Sequence, residues 1–209
     1  ARILEAESEP GNWLAHGRTY EEQRFSPLSQ INKETVSDLG LVWSKDMGTN
    51  RALEATPIVV DGIMFFTSTW SRVYAVDALT GETIWTFDPK VPGEWARKAC
   101  CDIVNRGVAV YNGKVYSATL DGRLFSLNAE TGEVVWEVDT IIDRTRSYKS
   151  GKKPQLSVTF SISSKKSNSD ACSNEKDIRG PILLSKVEKN IREILTKLMP
   201  GESYKFLDS

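Results

Sequence analysis

The chain has 209 residues, of which 40% are hydrophobic and 26% charged, and its formal net charge is −1. This composition is typical of a globular protein and excludes a wholly disordered or collagen-like chain. The charge gives no argument for nucleic-acid binding, and no apolar run approaches the ~18 residues that would indicate a membrane span.

The charges and the aromatic residues are unevenly divided along the chain. Residues 1–142 hold 13 basic and 20 acidic side chains, whereas residues 143–209 hold 14 and 8. All six tryptophans lie in the first part, and 12 serines lie in the second. We therefore predict a domain over residues 1–142 and an unrelated, basic, Ser/Lys-rich tail over residues 143–209.

Residues 61–88 and 112–139 form an internal repeat, DGIMFFTSTWSRVYAVDALTGETIWTFD and NGKVYSATLDGRLFSLNAETGEVVWEVD, at a constant offset of 51 residues. The offset aligns glycines, an arginine and a tryptophan: Gly62 with Gly113, Arg72 with Arg123, Gly81 with Gly132, and Trp85 with Trp136. A period of this size is typical of repeat folds such as β-propellers.

Each repeat has the pattern of three to four short antiparallel strands. The β-rich runs 63–67 and 114–118 follow Asp-Gly and Asn-Gly turns, and the runs 73–76 and 124–127 come next. A Thr-Gly turn then precedes a strand that carries a tryptophan, and its glycine supplies the positive φ that such a turn needs. The sequence therefore predicts an all-β fold, an incomplete β-propeller of about two blades.

The tryptophans of this part are expected to pack between neighbouring blades. Trp43, in the segment LVWSKDM, resembles the end of a preceding and less complete unit. These residues therefore indicate the fold and not a ligand.

Cys100 and Cys101 are adjacent, in the segment GEWARKACCDIVNRGVAV. They are either two buried free thiols or a strained vicinal disulfide, because neighbouring Cα atoms ~3.8 Å apart lie below the usual disulfide range. No zinc spacing is present, and the single histidine, His16, excludes a site built from several histidines.

The predicted tail is mostly irregular and contains one α-helix. Ser185 to Glu188 has the form of a capping box, and apolar residues then recur on one helical face until Pro200. A helix over about 186–199 is predicted, which either covers apolar surface or binds a partner. Cys172 is a lone cysteine in the polar segment before this helix.

Residues 8–140 resemble the N-terminal part of quinoprotein alcohol dehydrogenases, which use pyrroloquinoline quinone (PQQ). The motifs that carry the resemblance are NWLAHGRTYEEQRFSPLSQIN at 12–32, EATPIVVDG at 54–62, DPKVPGEWARKACCDIVNRGVAV at 88–110, and the two Thr-Gly turns followed by tryptophan. The resemblance implies an eight-bladed propeller with the quinone near its axis. It also implies a small-molecule alcohol as substrate and a periplasmic location, although the polar start ARILEAESEP is not a signal peptide.

The resemblance also assigns cofactor-binding roles. Cys100 and Cys101 would form a vicinal disulfide that stacks on one face of PQQ, and Val104 would lie close to the ring. Glu54, in EATP, matches a glutamate that contacts the cofactor, and Arg106, in VNRG, matches an arginine near a PQQ carboxylate.

The residues alone leave another interpretation of the two charged positions open. Glu54 would then be a solvated turn residue, and Arg106 would pair with a nearby acid such as Asp102. Neither interpretation is excluded by the sequence.

The family's reaction moves a hydride from an alcohol to the quinone, with calcium as Lewis acid and an aspartate as general base. In the family, the calcium ligands and the catalytic aspartate follow the second complete repeat, and here the resemblance stops near residue 140. No catalytic or metal-binding residue is therefore assigned. We predict the N-terminal part of a PQQ-dependent alcohol dehydrogenase, truncated or chimeric and inactive alone. The alternatives are a non-catalytic propeller scaffold and an interaction protein that works through helix 186–199.

Overall fold

The computed structural model describes residues 2–97 and 102–141. All of these except Ile141 belong to the first of the two units into which the chain divides, Ala1–Thr140. Several sequence predictions lie outside the described residues: Cys100, Cys101, Cys172, the tail over 143–209 and its helix over 186–199.

The described residues contain eight strands in two four-stranded antiparallel sheets, and in each sheet the spatial order follows the sequence. The first sheet consists of β1 (Ile58–Val60), β2 (Ile63–Thr67), β3 (Val73–Asp77) and β4 (Thr83–Phe87). The second consists of β5 (Ala109–Tyr111), β6 (Lys114–Ala118), β7 (Arg123–Asn128) and β8 (Val134–Asp139). Short 3₁₀ helices occupy Arg2–Ser8, Val36–Asp38, Thr69–Ser71 and Gly93–Arg97. The predicted all-β fold, with two blade-like repeats, is confirmed.

The first hairpin of each sheet, β1–β2 and β5–β6, has the tight turn that the sequence predicts. Asp61 and Gly62 have φ of 51° and 82°, and Asn112 and Gly113 have φ of 48° and 69°. Two consecutive residues with positive φ form the type I′ turn, whose twist matches that of the flanking strands. The Asp-Gly and Asn-Gly pairs therefore fix the register of β1 on β2 and of β5 on β6.

Trp85, at the centre of β4, docks on the second sheet. Its indole Nε1 donates a hydrogen bond of 2.9 Å to the carbonyl oxygen of Ala129. Gly132 has φ of 75°, and a Cβ at this position would lie 2.6 Å from Cδ2 of the Trp85 ring. Glycine therefore satisfies two requirements at once, the left-handed backbone and the close approach of the indole.

Trp43 makes the same contact one repeat earlier. Its Nε1 donates to the carbonyl oxygen of Ala78 over 3.2 Å, and a Cβ at Gly81 would lie 2.6 Å from Cδ2 of its ring. Gly81 has φ of 73°. The prediction that the tryptophans pack between neighbouring units is thus confirmed for Trp43 and Trp85.

The hydrophobic core lies between the two sheets. It joins buried residues of both: Phe65, Val73, Ala75 and Trp85 from the first, and Val115, Phe125 and Leu127 from the second. The rings of Phe87 and Phe125 also meet across the interface, with centroids 5.0 Å apart. Each sheet therefore buries one face against the other, which is the main source of stability in a layered β fold.

Hydrogen bonds among Arg2, Glu9, Asn12 and Asp61 hold the N-terminal segment against the first hairpin. Both terminal nitrogens of Arg2 donate to the carboxylate of Asp61, at 2.8 and 2.7 Å, and its Nε donates to Glu9 at 2.9 Å. Asn12 donates to Glu9 and accepts the backbone N–H of Asp61. Hydrogen bonding by the Arg2 guanidinium lowers the pKa of both carboxyl groups below their usual range.

The hydrogen bonds of Arg2 to Glu9 and Asp61 should weaken in acid. The pKa values of Glu9 and Asp61 are lowered in the folded state. Their contribution to folding stability is therefore complete above about pH 4, the pKa of these groups in the unfolded chain, and is lost as the pH falls through the folded-state pKa values. Hydrogen exchange at the backbone amide of Asp61 should therefore speed up as the pH falls below about 4, after correction for intrinsic exchange. The Arg2→Ala variant should show fast exchange already at neutral pH. Equal protection in the variant and the parent chain would contradict this role.

Candidate functional site

Two ion pairs connect the segment that precedes β1 with the segment that precedes β5. Nη2 of Arg106 lies 3.0 Å from Oε2 of Glu54, and Nη1 of Arg51 lies 2.5 Å from Oδ1 of Asp102. Arg106 does pair with an acid, as the alternative interpretation expects, but that acid is Glu54 and not Asp102, which pairs with Arg51. The two charged candidates from the resemblance, Glu54 and Arg106, are instead each other's partner.

Sequence reasoning missed Arg51, although a signal for it was present. The repeat offset of 51 residues places Arg51 and Asp102 at equivalent positions of successive repeats. In a repeat fold each unit contacts its neighbours, so opposite charges at equivalent positions can pair across the boundary.

The Glu54–Arg106 pair is accessible to solvent. The Arg106 side chain is 74% exposed and that of Glu54 is 38% exposed. A guanidinium carries five N–H donors in a planar fork. Glu54 therefore pairs with one terminal nitrogen of the Arg106 guanidinium, while donors on its exposed side remain able to bind a carboxylate.

Asn105 joins both sheets from the position immediately before Arg106. Its Oδ1 accepts hydrogen bonds from Oγ1 of Thr67 at 2.9 Å and from the backbone N–H of Gly107 at 3.0 Å. Its Nδ2 donates to the carbonyl oxygen of Ala118 at 2.8 Å. Thr67 ends β2 and Ala118 ends β6. This side chain, which sequence reasoning did not single out from the VNRG motif, therefore sets the position of the loop relative to both sheets.

Backbone contacts hold the rest of this loop. Ile103 is buried, and its carbonyl oxygen accepts the N–H of Trp70 at 3.0 Å. Gly107 has φ of 124°, and a Cβ there would lie 3.2 Å from the carbonyl oxygen of Thr56. Val104, which the resemblance places near the cofactor ring, is partly buried in the same loop. The structure thus brings Glu54, Val104 and Arg106 to one loop region, and Cys100 and Cys101 lie outside the described residues.

An open cleft of about 440 Å³ lies beside the Arg51–Asp102 pair. It is lined by Asp46, Gly48, Thr49, Asn50, Arg51, Trp70 and Ile103. Glu54 and Arg106 are not among these lining residues. In the part of the chain that the structure describes, no group of three or more His, Cys, Asp and Glu side chains is placed to hold a metal ion.

Replacing Asn105 with alanine should destabilise the loop more than it destabilises the sheets. The variant leaves the Thr67 hydroxyl and the Ala118 carbonyl without this partner, and such a loss costs about 1–3 kcal/mol. Limited proteolysis should therefore cut the 102–107 loop faster in Asn105→Ala than in the parent chain. Asn128→Ala, which removes an amide from the turn before β8, is the matched control. Unchanged cleavage of the loop in Asn105→Ala would contradict the anchoring role.

Comparisons with known proteins agree on one family. The family model for the β-propeller domain of PQQ glucose/ethanol/alcohol dehydrogenases matches residues 13–137. The dehydrogenase subunit of the quinone alcohol dehydrogenase of Komagataeibacter europaeus is 52% identical over 159 residues, covering 74% of this chain and 22% of the relative. Quinohemoprotein alcohol dehydrogenase ADH-IIG of Pseudomonas putida is 55% identical over 148 residues, covering 71% of this chain and 21% of the relative.

Solved structures show the same relationship. The quinohemoprotein alcohol dehydrogenase ADHIIG of Pseudomonas putida HK5 superposes with a TM-score of 0.67 at 54% identity, covering 69% of this chain and 21% of that one. A europium-containing methanol dehydrogenase superposes with a TM-score of 0.62 at 38% identity, covering 66% of this chain and 24% of that one.

The matches span only part of each relative. The chain spans about a fifth of the length of the curated relatives it matches, 22% and 21% for the two named above. Within residues 2–97 and 102–141, no helix has the length and hydropathy needed to cross a bilayer. The family match covers more than half of the chain, residues 13–137, and includes the first sheet, the second sheet up to residue 137 of β8, and the loop of Arg106. The chain therefore belongs to the family of PQQ-dependent glucose/ethanol/alcohol dehydrogenase β-propellers.

Proposed function

We propose that this chain supplies the N-terminal pair of blades of a PQQ-dependent alcohol dehydrogenase, which oxidises an alcohol to an aldehyde. The observation that carries the proposal is the Glu54–Arg106 pair, held at 3.0 Å in the loop region between the two sheets. The pair lies within the residues that match the family, and it presents a cation whose donors are partly free.

The chemistry of these residues fits a carboxylated cofactor. A guanidinium binds a carboxylate through two parallel N–H donors, and Arg106 is exposed enough to do so. The carboxylate of Glu54 restrains the guanidinium without burying it. Arg106 would therefore hold a carboxylate of PQQ, with Glu54 and Val104 beside it, and PQQ when bound supplies a hydride acceptor for the alcohol.

The proposed contribution of this chain is to bind PQQ and to orient it. Asn105 bonds the loop to both sheets, and Glu54 is the ion-pair partner of the Arg106 guanidinium. Cys100 and Cys101 are proposed to form a vicinal disulfide beneath the cofactor. A calcium ion and a general base are proposed to come from other blades, and a periplasmic location is proposed because it permits the disulfide.

A graft tests the proposal. Residues 13–137 would replace the matching segment of Pseudomonas putida ADH-IIG, and the purified hybrid would be assayed for reduction of an artificial electron acceptor. We expect alcohol oxidation that requires added PQQ and calcium. The isolated 209-residue chain should show none under the same conditions, because two blades do not enclose a central site. A folded hybrid without PQQ-dependent oxidation would contradict the proposal and would favour a non-catalytic scaffold.

A further inference from the structure

The turn between β5 and β6 exposes both residues of the pair Asn112-Gly113, which is the one Asn-Gly sequence in the chain. Within the described residues, neither the Asn112 side chain nor the backbone N–H of Gly113 makes a hydrogen bond. The carbonyl oxygen of Gly113 accepts the N–H of Ala129 at 3.0 Å. A Cβ at Gly113 would have no atom of a non-neighbouring residue within 4 Å. The side-chain amide of Asn112 and the backbone nitrogen that follows it are therefore accessible to water and to each other.

The other asparagines of the described ranges are held in ways that Asn112 is not. In four of these five, the side-chain oxygen accepts a backbone N–H: Asn12, Asn32, Asn105 and Asn128. The fifth, Asn50, is exposed, but the N–H of the next residue, Arg51, donates to Oγ1 of Thr49 at 3.2 Å. Arg51 also carries a long side chain, whereas Gly113 has none to obstruct an approach to its nitrogen. Among the asparagines in residues 2–97 and 102–141, Asn112 therefore combines an unbonded amide with an unbonded and unobstructed N–H next to it.

We propose that Asn112 is a site of spontaneous deamidation in the folded chain. The backbone nitrogen of Gly113 attacks Cγ of Asn112, so that an N–Cγ bond forms and the bond from Cγ to the side-chain nitrogen breaks. Ammonia leaves with the proton of the Gly113 nitrogen, and a cyclic imide remains. Water then opens the imide at either of its carbonyl carbons and gives aspartate or isoaspartate, without oxidation or reduction. The proposal concerns the turn alone and does not depend on alcohol oxidation.

The two products have different consequences for the hairpin. The aspartate product keeps the turn, because Asp61-Gly62 adopts the same positive φ angles in the first sheet. In isoaspartate the main chain runs through the side-chain carbons and gains a methylene group, which a two-residue type I′ turn cannot accommodate without losing its register. β5 has only three residues, which pair with β6 through this turn. Isoaspartate therefore releases β5, and with it the loop over residues 102–107 that leads into β5.

Incubation of the full-length chain in mildly alkaline buffer tests the reaction. Circular dichroism would establish that the chain stays folded, and mass-spectrometric peptide maps of successive samples would locate each amide that becomes a carboxyl group. Asn112 should be largely converted, to a mixture of aspartate and isoaspartate, while Asn50 remains almost entirely an amide. Asn50 is the matched control because it is also exposed and unbonded. Absence of conversion at Asn112, or conversion of Asn50 at the same rate, would overturn the proposal.

The equivalent turn of the first sheet separates the effect of structure from that of the Asn-Gly sequence itself. Asp61→Asn creates a second Asn-Gly pair, where Arg2 can still donate to the side-chain oxygen and Asn12 still accepts the backbone N–H of residue 61. The asparagine introduced at position 61 should therefore lose its amide more slowly than Asn112 in the same molecule. Adding Arg2→Ala should bring the two rates closer together. Equal rates in Asp61→Asn alone would contradict the protective part given to these hydrogen bonds.

Limited proteolysis of the separated products tests the consequence for the hairpin. Ion-exchange chromatography of the incubated chain would separate the products from the parent, and fragmentation would identify the fraction that contains isoaspartate. Cleavage within residues 102–107 should be faster in that fraction than in the fresh parent chain. Asn112→Asp is the matched control, because it gains the same charge without the added methylene group, and it should be cut at the parent's rate. An isoaspartate fraction that is cut no faster than Asn112→Asp would contradict the proposed release of β5.

Discussion

Replacing Trp85 with alanine should lower the free energy of unfolding of the two-sheet unit by about 3–5 kcal/mol. Trp85 is 8% exposed and belongs to the core that joins the sheets. Its removal leaves a cavity against Gly132 and takes the donor from the Ala129 carbonyl oxygen. Chemical denaturation followed by circular dichroism measures the loss.

Trp136→Ala is the matched control for this prediction. It removes the same side chain from the equivalent strand, but no described sheet packs on its outer side. At a concentration where the chain is monomeric, its loss of stability should be clearly smaller than that of Trp85→Ala. Trp85→Phe should fall between them because it keeps the ring and loses the indole donor. Equal losses in Trp85→Ala and Trp136→Ala would show that the contact between the sheets does not stabilise the unit.

Replacing Arg106 with alanine in the grafted enzyme should weaken PQQ binding about a hundredfold, which lies within the about 1.5–3 kcal/mol expected for the loss of a hydrogen bond to a charged group. The reason is the loss of the forked donor that Glu54 holds in place. Stability should change little, because an exposed ion pair contributes only about 0–1 kcal/mol. Fluorescence titration of the apo-hybrid with PQQ measures the affinity, and denaturation measures the stability.

Two variants separate a specific role of Arg106 from a general effect of charge. Arg106→Lys keeps the charge but loses the planar fork, so it should restore only part of the affinity. Arg72→Ala removes an arginine from another ion pair, Arg72 with Asp88 at 3.2 Å, which is less exposed and lies outside the loop region of Arg106. It should leave PQQ binding unchanged. If Arg72→Ala and Arg106→Ala weaken binding equally, Arg106 has no specific part in cofactor binding.

The strands could be predicted from the sequence because the same pattern of turns and strands occurs in both repeats. Asp61-Gly62 and Asn112-Gly113 specify the same turn at a spacing of 51 residues, and the strands that follow have the predicted bounds, Ile63–Thr67 and Lys114–Ala118. Gly81 was expected to have a positive φ, and it does. Local turn chemistry and β-propensity determine these features, and both are visible in a short stretch of sequence.

The partners of the site residues could not be predicted in the same way. Arg106 has Asp102 close by in sequence, yet it pairs with Glu54, which lies 52 positions earlier in the chain. The choice depends on how two segments from different sheets align, and local sequence does not encode that alignment. Asn105 was missed for the same reason, because its bonds to Thr67 and Ala118 exist only once both sheets are in place.

We propose that these two blades form part of a PQQ site, so the graft should contain bound PQQ. The hybrid with residues 13–137 would be loaded with PQQ and calcium, freed of excess cofactor, and analysed for PQQ bound per polypeptide. We expect one PQQ per polypeptide, with less in the Arg106→Ala hybrid and the same amount in the Arg72→Ala hybrid. A folded hybrid that retains no PQQ, beside a parent enzyme that does, would contradict it.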